Sequence, residues 1–210
     1  HKRGEIAMKN ILKIMLMMIT IYTITGSAVY AAEIPVSDQD QLITSRDWTE
    51  ISNLQDEMKK EEPDATIDYD KALKVYVDCN LIKLQTADTK KLTSALESAN
   101  YVWVIPFKME KTYGMFTVAK GLPLSEEAKS VLTKAEQEEV KNHAGKWMIT
   151  ETAEHTVEPY YDTLLEKRET LSDCTRVVLV GSQPGMRQPV ALGMDDETAR
   201  IWISLGYQYP

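Results

Sequence analysis

The chain has 210 residues, 43% of them hydrophobic and 27% charged, with 24 basic against 32 acidic side chains. That composition excludes a disordered or collagen-like chain, and a net charge of −8 excludes a nucleic-acid backbone as the principal partner, since phosphate binding needs a basic surface. Two cysteines are too few for a disulfide-rich scaffold or a four-cysteine zinc site.

Residues 8–31 carry the three parts of an export signal. Lys9 and Lys13 give a positive start, Ile14 to Ile24 an apolar helix, and Val29-Tyr30-Ala31 the small −3 and −1 residues that suit cleavage after Ala31. The competing reading is a retained anchor, because the weakly polar run from Ile14 to Ala32 approaches the roughly 20 residues that span a bilayer. Lys2-Arg3-Gly4-Glu5 back-translates as a purine-rich ribosome-binding sequence, which predicts a translation start at Met8. The leader holds four of the 24 basic residues and one of the 32 acids, so cleavage leaves 20 and 31 and a net charge of −11.

Residues 32–44 read as a flexible lead-in to a single α+β domain over 45–210. Thr44-Ser45-Arg46-Asp47 has the form of a capping box, and Trp48, Ile51, Leu54 and Met58 follow at helical spacing up to Pro63. Ala72 to Leu84 alternates as a strand with Val75, Val77, Cys79 and Leu81 on one face. Asp88 to Ala99 is a short helix. Tyr101 to Met109 and Tyr113 to Ala119 form a hairpin about Glu110-Lys111-Thr112, with Pro106 marking its first strand as an edge or bulged strand. Ser125 starts a helix, Thr133-Lys134-Ala135-Glu136 is a second capping box, and Gly145 stands where a helix-ending glycine belongs. Trp147 to Val157 is a strand, Pro159 opens a helix to Leu171, and strands follow at 177–180, 189–192 and 199–205.

This order predicts an antiparallel or mixed sheet with helices packed on one face. Segments 72–119 and 146–193 share a β-α-β-β order, the second running on to 205. Either an internal duplication or coincidence accounts for it, and no residue-level repeat accompanies it.

The familiar phosphate-, dinucleotide- and zinc-binding signatures are missing, and no cofactor is predicted. Glu151, His155 and the neighbouring Glu158 and Tyr160 form the acid and histidine cluster. Strand alternation places Glu151 and His155 on the side of Trp147 and Ile149, where they could share a metal or a proton, or simply be solvated. The turn Gly181 to Gly185, flanked by Arg187, offers a candidate anion site at Gly185 and Arg187. Cys79 and Cys174 are either one bridge or two buried thiols. Trp103, Trp147 and Trp202 suit a sugar or peptide platform, or a core.

The leader, the acidic body and the lack of a motif resemble small exported proteins of Gram-positive bacteria. The expected function is a secreted, non-catalytic module that binds a protein, a peptide or a cell-envelope component, meeting a membrane only through an uncleaved leader. The alternatives are a hydrolase or metal-dependent enzyme built on Glu151 and His155, and a secreted inhibitor.

Overall fold

The computed structural model describes residues 34–155, 158–181 and 188–205. They form an α+β fold on one mixed sheet of eight strands: β1 (Thr66–Ile67), β2 (Leu73–Tyr76), β3 (Tyr101–Lys108), β4 (Tyr113–Lys120), β5 (Trp147–His155), β6 (Arg176–Val180), β7 (Val190–Met194) and β8 (Ala199–Ser204). Across the sheet the order is β5-β4-β3-β2-β6-β7-β8, with β1 beside β3. The β2–β6 pair is parallel and the other pairings are antiparallel.

The helices are α1 (Trp48–Ile51), α2 (Gln55–Glu61), α3 (Thr89–Glu97), α4 (Glu126–Val131), α5 (Lys134–His143) and α6 (Tyr160–Glu166). Local chemistry explains their starts. The Asp88 carboxylate accepts from Lys91 N at 2.9 Å and the Ser125 hydroxyl from Ala128 N at 3.1 Å. Thr133 and Glu136 form the reciprocal capping box predicted for α5. Gly145, at φ +75°, turns the chain after α5 back toward the sheet, where its N–H donates to Gly121 O.

Several expectations need correction. The strand predicted over 72–84 stops at Tyr76, because the Asp78 carboxylate takes both the backbone N–H and the side-chain amide of Asn100 at 2.6 Å and turns the chain out of the ladder. Cys79 and Leu81 therefore lie beyond the strand. β3 is an interior strand in continuous register with β4. Pro106 is accommodated at the step between the β1 and β2 pairings, where its carbonyl accepts from Asp68 N. The capping box at Thr44 does not form: the Thr44 hydroxyl donates to Asp38 O and Gln41 O, and Asp47 turns its carboxylate elsewhere. Segments 72–119 and 146–193 share the antiparallel pairing of their last two strands, β3–β4 and β6–β7, but differ in where the first strand sits. The first strand of the former, β2, pairs with its own β3, whereas β5 pairs with β4 at the far edge and not with β6.

Helices cover both faces, not one. On one face Leu73, Val75, Val104, Val177, Leu179 and Ala191 pack against Leu164 of α6 and against Leu171 beyond it. The other face carries two separate clusters. Leu42, Ile51 and Met58 cover Trp103, Ile105, Phe107, Phe116 and Val118, while Leu81, Leu92 and Leu96 cover Tyr76, Val178, Val180, Val190 and Leu192. Between those two covers lies β2, and Lys74 is the residue it presents there. Among the described residues no helix is long and apolar enough to cross a membrane.

Candidate functional site

β2 is buried on both sides because it is the strand at which two antiparallel units join. Its register puts Lys74 opposite Trp103 and Tyr76 opposite Tyr101. The Lys74 side chain is 10% exposed, and its ammonium lies 4.5 Å from the Tyr101 ring centre, 5.2 Å from Trp103 and 5.8 Å from Tyr76. This is a cation held against the faces of aromatic rings.

Two buried carboxylates come down onto this box from the N-terminal segment. Gln41 bridges to Leu73, and Leu42 N donates to Ala72 O, so the short turn Asp38–Asp40 sits over β2. Asp40, 2% exposed, accepts from Ser37 Oγ at 2.6 Å, Tyr76 Oη at 2.8 Å and Arg176 at 3.0 Å. Asp47 Oδ2 accepts from Tyr101 Oη at 2.8 Å and Trp103 Nε1 at 3.0 Å. Both acids are thus committed, as buried carboxylates must be. Lys74 Nζ is 3.7 Å from Asp40 Oδ1, within ion-pair range but too far for a hydrogen bond.

Burial lowers the Lys74 pKa from its ordinary value, while Asp40 and Asp47 pull it back up. Burial and the Asp47 contact push the Tyr101 phenol up to about 12, and burial beside Asp40 raises Tyr76 as well.

The seam opens into a cleft of about 440 Å³ between the N-terminal cover and the end of α3. Lys74, Tyr76 and Tyr101 line its base, with Asp38 and the exposed Arg46 from the N-terminal cover and Glu97 from the end of α3 at its mouth. Both lip acids are exposed, and neither has an ion-pair partner among the described residues. Tyr101 is shared with a more apolar cleft of about 560 Å³, lined also by Val102, Leu122 and Trp147.

No protein-family model matches the chain, nor does any curated protein or any solved structure. The site is therefore read from its own geometry.

The residues singled out in the sequence lie elsewhere. A bulge at Thr150 shifts the β4–β5 register, so Val118 opposes Ile149 but Thr117 opposes Glu151. Glu151 is thereby moved off the Trp147 and Ile149 side that simple alternation assigned to it. It is exposed, and its carboxylate accepts from Thr117 Oγ1 at 3.3 Å. The backbone positions of Glu151 and His155 are about 13 Å apart along the strand. Tyr160 donates to Gln188 at 3.1 Å, and burial, then Glu151, pushes its phenol up to about 12. Glu158 is exposed. Among the described residues no group of three or more His, Cys, Asp or Glu side chains is placed to hold a metal ion. Gly185 and Arg187 fall outside the described residues.

Cys79 and Cys174 are both thiols, and the bridge between them is not formed. Cys174 packs in the cluster under α6 while Cys79 packs against the cluster under α3, so the sheet separates them. Burial raises both thiol pKa values, as expected of thiols used for packing. Trp103 and Trp147 are core residues, whereas Trp202 on edge strand β8 is 42% exposed.

Sequence reasoning missed Asp40, Asp47 and Lys74. Asp40 lies in the segment that reads as a lead-in, Asp47 in the one that reads as a capping box, and Lys74 in a strand whose alternation marks only Val75, Val77, Cys79 and Leu81. The available signal was Lys74 between Leu73 and Val75, followed by Tyr76: a lone cation in a run otherwise apolar enough for a doubly buried strand.

Proposed function

We propose that the protein is a non-catalytic binding module acting outside the cytoplasm, and that it takes a small polar ligand or the end of a peptide in the Lys74 cleft. The observation that carries this reading is the placement of a buried ammonium, short of a hydrogen-bonding acceptor, at the base of an open cleft. Burying a charge costs several kcal/mol after relaxation, so a fold that needed only stability would do as well with an apolar side chain there. The volume falls within the range of small-ligand sites, and the aromatic walls give a ligand apolar contact beside its polar anchor. Export rests on the leader, and sequencing the N-terminus of the secreted form should find Ala32 first.

A thermal-shift screen of soluble amino acids, sugars, organic acids and short peptides tests the site, run on the wild type and on Lys74→Met in parallel. A compound that raises the melting temperature of the wild type and leaves the variant unmoved supports the reading. Ligands that stabilise both proteins equally would place binding elsewhere.

A further inference from the structure

We infer that the apolar cleft adjoining the Lys74 cleft is a second binding site, for a free carboxylic acid with an apolar body, and that Lys120 holds its carboxylate. This site rests on its own residues and not on the reading of Lys74. Its volume of about 560 Å³ falls within the range of small-ligand sites, and Val77, Val102, Leu122, Pro123 and Trp147 give it apolar walls. Leu122 is 58% exposed, so an apolar molecule seated against it takes hydrocarbon of both partners out of water.

Charge decides the class of ligand. The chain carries 32 acidic against 24 basic residues, and two other clefts reflect that balance. Asp38, Asp47 and Glu97 line the Lys74 cleft, and Glu136 and Glu139 line the one beside α5. Among the described residues no Asp or Glu lines the apolar cleft, and its wall carries the cation Lys120. An anionic head group finds a counter-charge there, whereas a cationic one finds none on the wall.

Hydrogen bonding points the same way. The Tyr101 hydroxyl donates to Asp47 and the Asn100 side-chain amide to Asp78, so both of these donors on the wall are spent. The Lys120 ammonium is 3.8 Å from the Glu50 carboxylate, beyond hydrogen-bonding range, and Glu50 is 60% exposed. An exposed pair of this kind is weak, so a ligand carboxylate can take charge-assisted hydrogen bonds from Lys120 while Glu50 turns to solvent. The same ammonium lies 5.5 Å from the centre of the Trp147 ring. An acid anchored on Lys120 therefore has its apolar body beside an aromatic wall.

Isothermal titration of the protein with probes of one alkyl chain tests this: decanoate, decanol and decylammonium, each below its micelle-forming concentration. At neutral pH the wild type should bind decanoate about tenfold or more tightly than decanol, with decylammonium weakest. Lys120→Met keeps the reach of a half-exposed side chain and removes its charge, so decanoate affinity should fall to that of decanol. Leu122→Ser, at an exposed position, should weaken decanoate and decanol alike, by about threefold or more. Equal binding of decanoate and decanol by the wild type would overturn the inference, as would no binding of any probe. Decanoate binding that survives both variants would place the site elsewhere and overturn it too. If Lys74→Met abolished decanoate binding and Lys120→Met did not, the acid would belong to the Lys74 cleft. The present inference would then fall and the reading of Lys74 would stand.

Discussion

The two faces of the sheet solve the same packing problem differently. Under α6 a single apolar cluster runs from β3 to β8 without a charged member, and Leu164 and Leu171 are fully buried in it. On the opposite face two covers, one from the N-terminal helices and one from α3, meet over β2 and leave a strip closed by Asp40, Asp47, Lys74 and Arg176. The first face is what hydrophobic burial alone produces. On the second, each charge depends on its neighbours, and the strip is where a cleft opens. The difference teaches where to look for function in this fold: at the join between two covers, not under the complete one.

The largest effect should come from breaking the charged strip at its most connected member. Asp40→Ala leaves Arg176 and Lys74 without their buried counter-ion and Tyr76 Oη without its acceptor. It should cost about 3–5 kcal/mol, read as a fall in the urea midpoint at unchanged slope. Leu164→Ala on the apolar face should cost about 2–5 kcal/mol through the cavity it leaves. Leu164→Ala is read in the same way, from the urea midpoint at unchanged slope.

On that same apolar face, Gly193→Ala should cost about 1–3 kcal/mol by overpacking. A Cβ there would sit 2.7 Å from Cys174 Sγ and 2.8 Å from Ile201, both held in the core. Equilibrium unfolding checks the value, and a stability equal to the wild type would mean the β7–β8 bulge beside Gly193 absorbs the methyl group.

Alkaline pH sharpens the comparison from the charged side. The Tyr101 phenol ionises near 10.0 when unfolded but near 12 when folded. Between those values the folded chain keeps a proton that the unfolded chain has lost, so this contribution is complete below pH 10 and disappears as pH rises through the window. Tyr76 and Tyr160 act in the same direction. Lys74 acts oppositely: its lowered pKa makes folding more favourable as pH climbs toward 10.5. Tyr69, Lys71 and the two thiols are raised as well, so with Lys74 alone opposing them urea midpoints should fall as pH rises through the alkaline range. Tyr101→Phe should show a shallower fall, and an unchanged slope would mean Tyr101 is solvated in the folded state.

How much of this was legible in the sequence follows from which signals are local. The second capping box, the short helix after Asp88, the β3–β4 hairpin and the strands after residue 176 all rest on residues within a few positions of one another, and each forms as predicted. The candidate site rests on pairs far apart in sequence. Asp40 meets Arg176 across 136 positions, and Asp47 meets Trp103 across 56. Nothing local marks Asp47 as the partner of an indole and a phenol rather than as a helix cap. The Glu151 assignment failed for a related reason, since strict alternation cannot foresee a bulge set by the partner strand. Lys74 draws no reading from the sequence because the burial of β2 on both faces is decided by its pairing with β6, far later in the chain.

Replacing Lys74 by Met should change stability least, and that is its value. The Met side chain has similar reach and packs well against Tyr76, Tyr101 and Trp103. The change gives up the cation–aromatic contacts and the 3.7 Å ion pair, but it also removes the cost of keeping an ammonium 10% exposed. Asp40 retains Ser37, Tyr76 and Arg176, so no carboxylate is stranded. The net change should lie within about 1 kcal/mol of zero, on either side. Equilibrium urea unfolding of the two proteins decides it. A near-zero value, set beside the large cost of Asp40→Ala, would mean the strip is organised around the carboxylate and that the ammonium is kept for something other than folding. A loss of 3 kcal/mol or more would make Lys74 a structural counter-charge and return the cleft above it to ordinary surface.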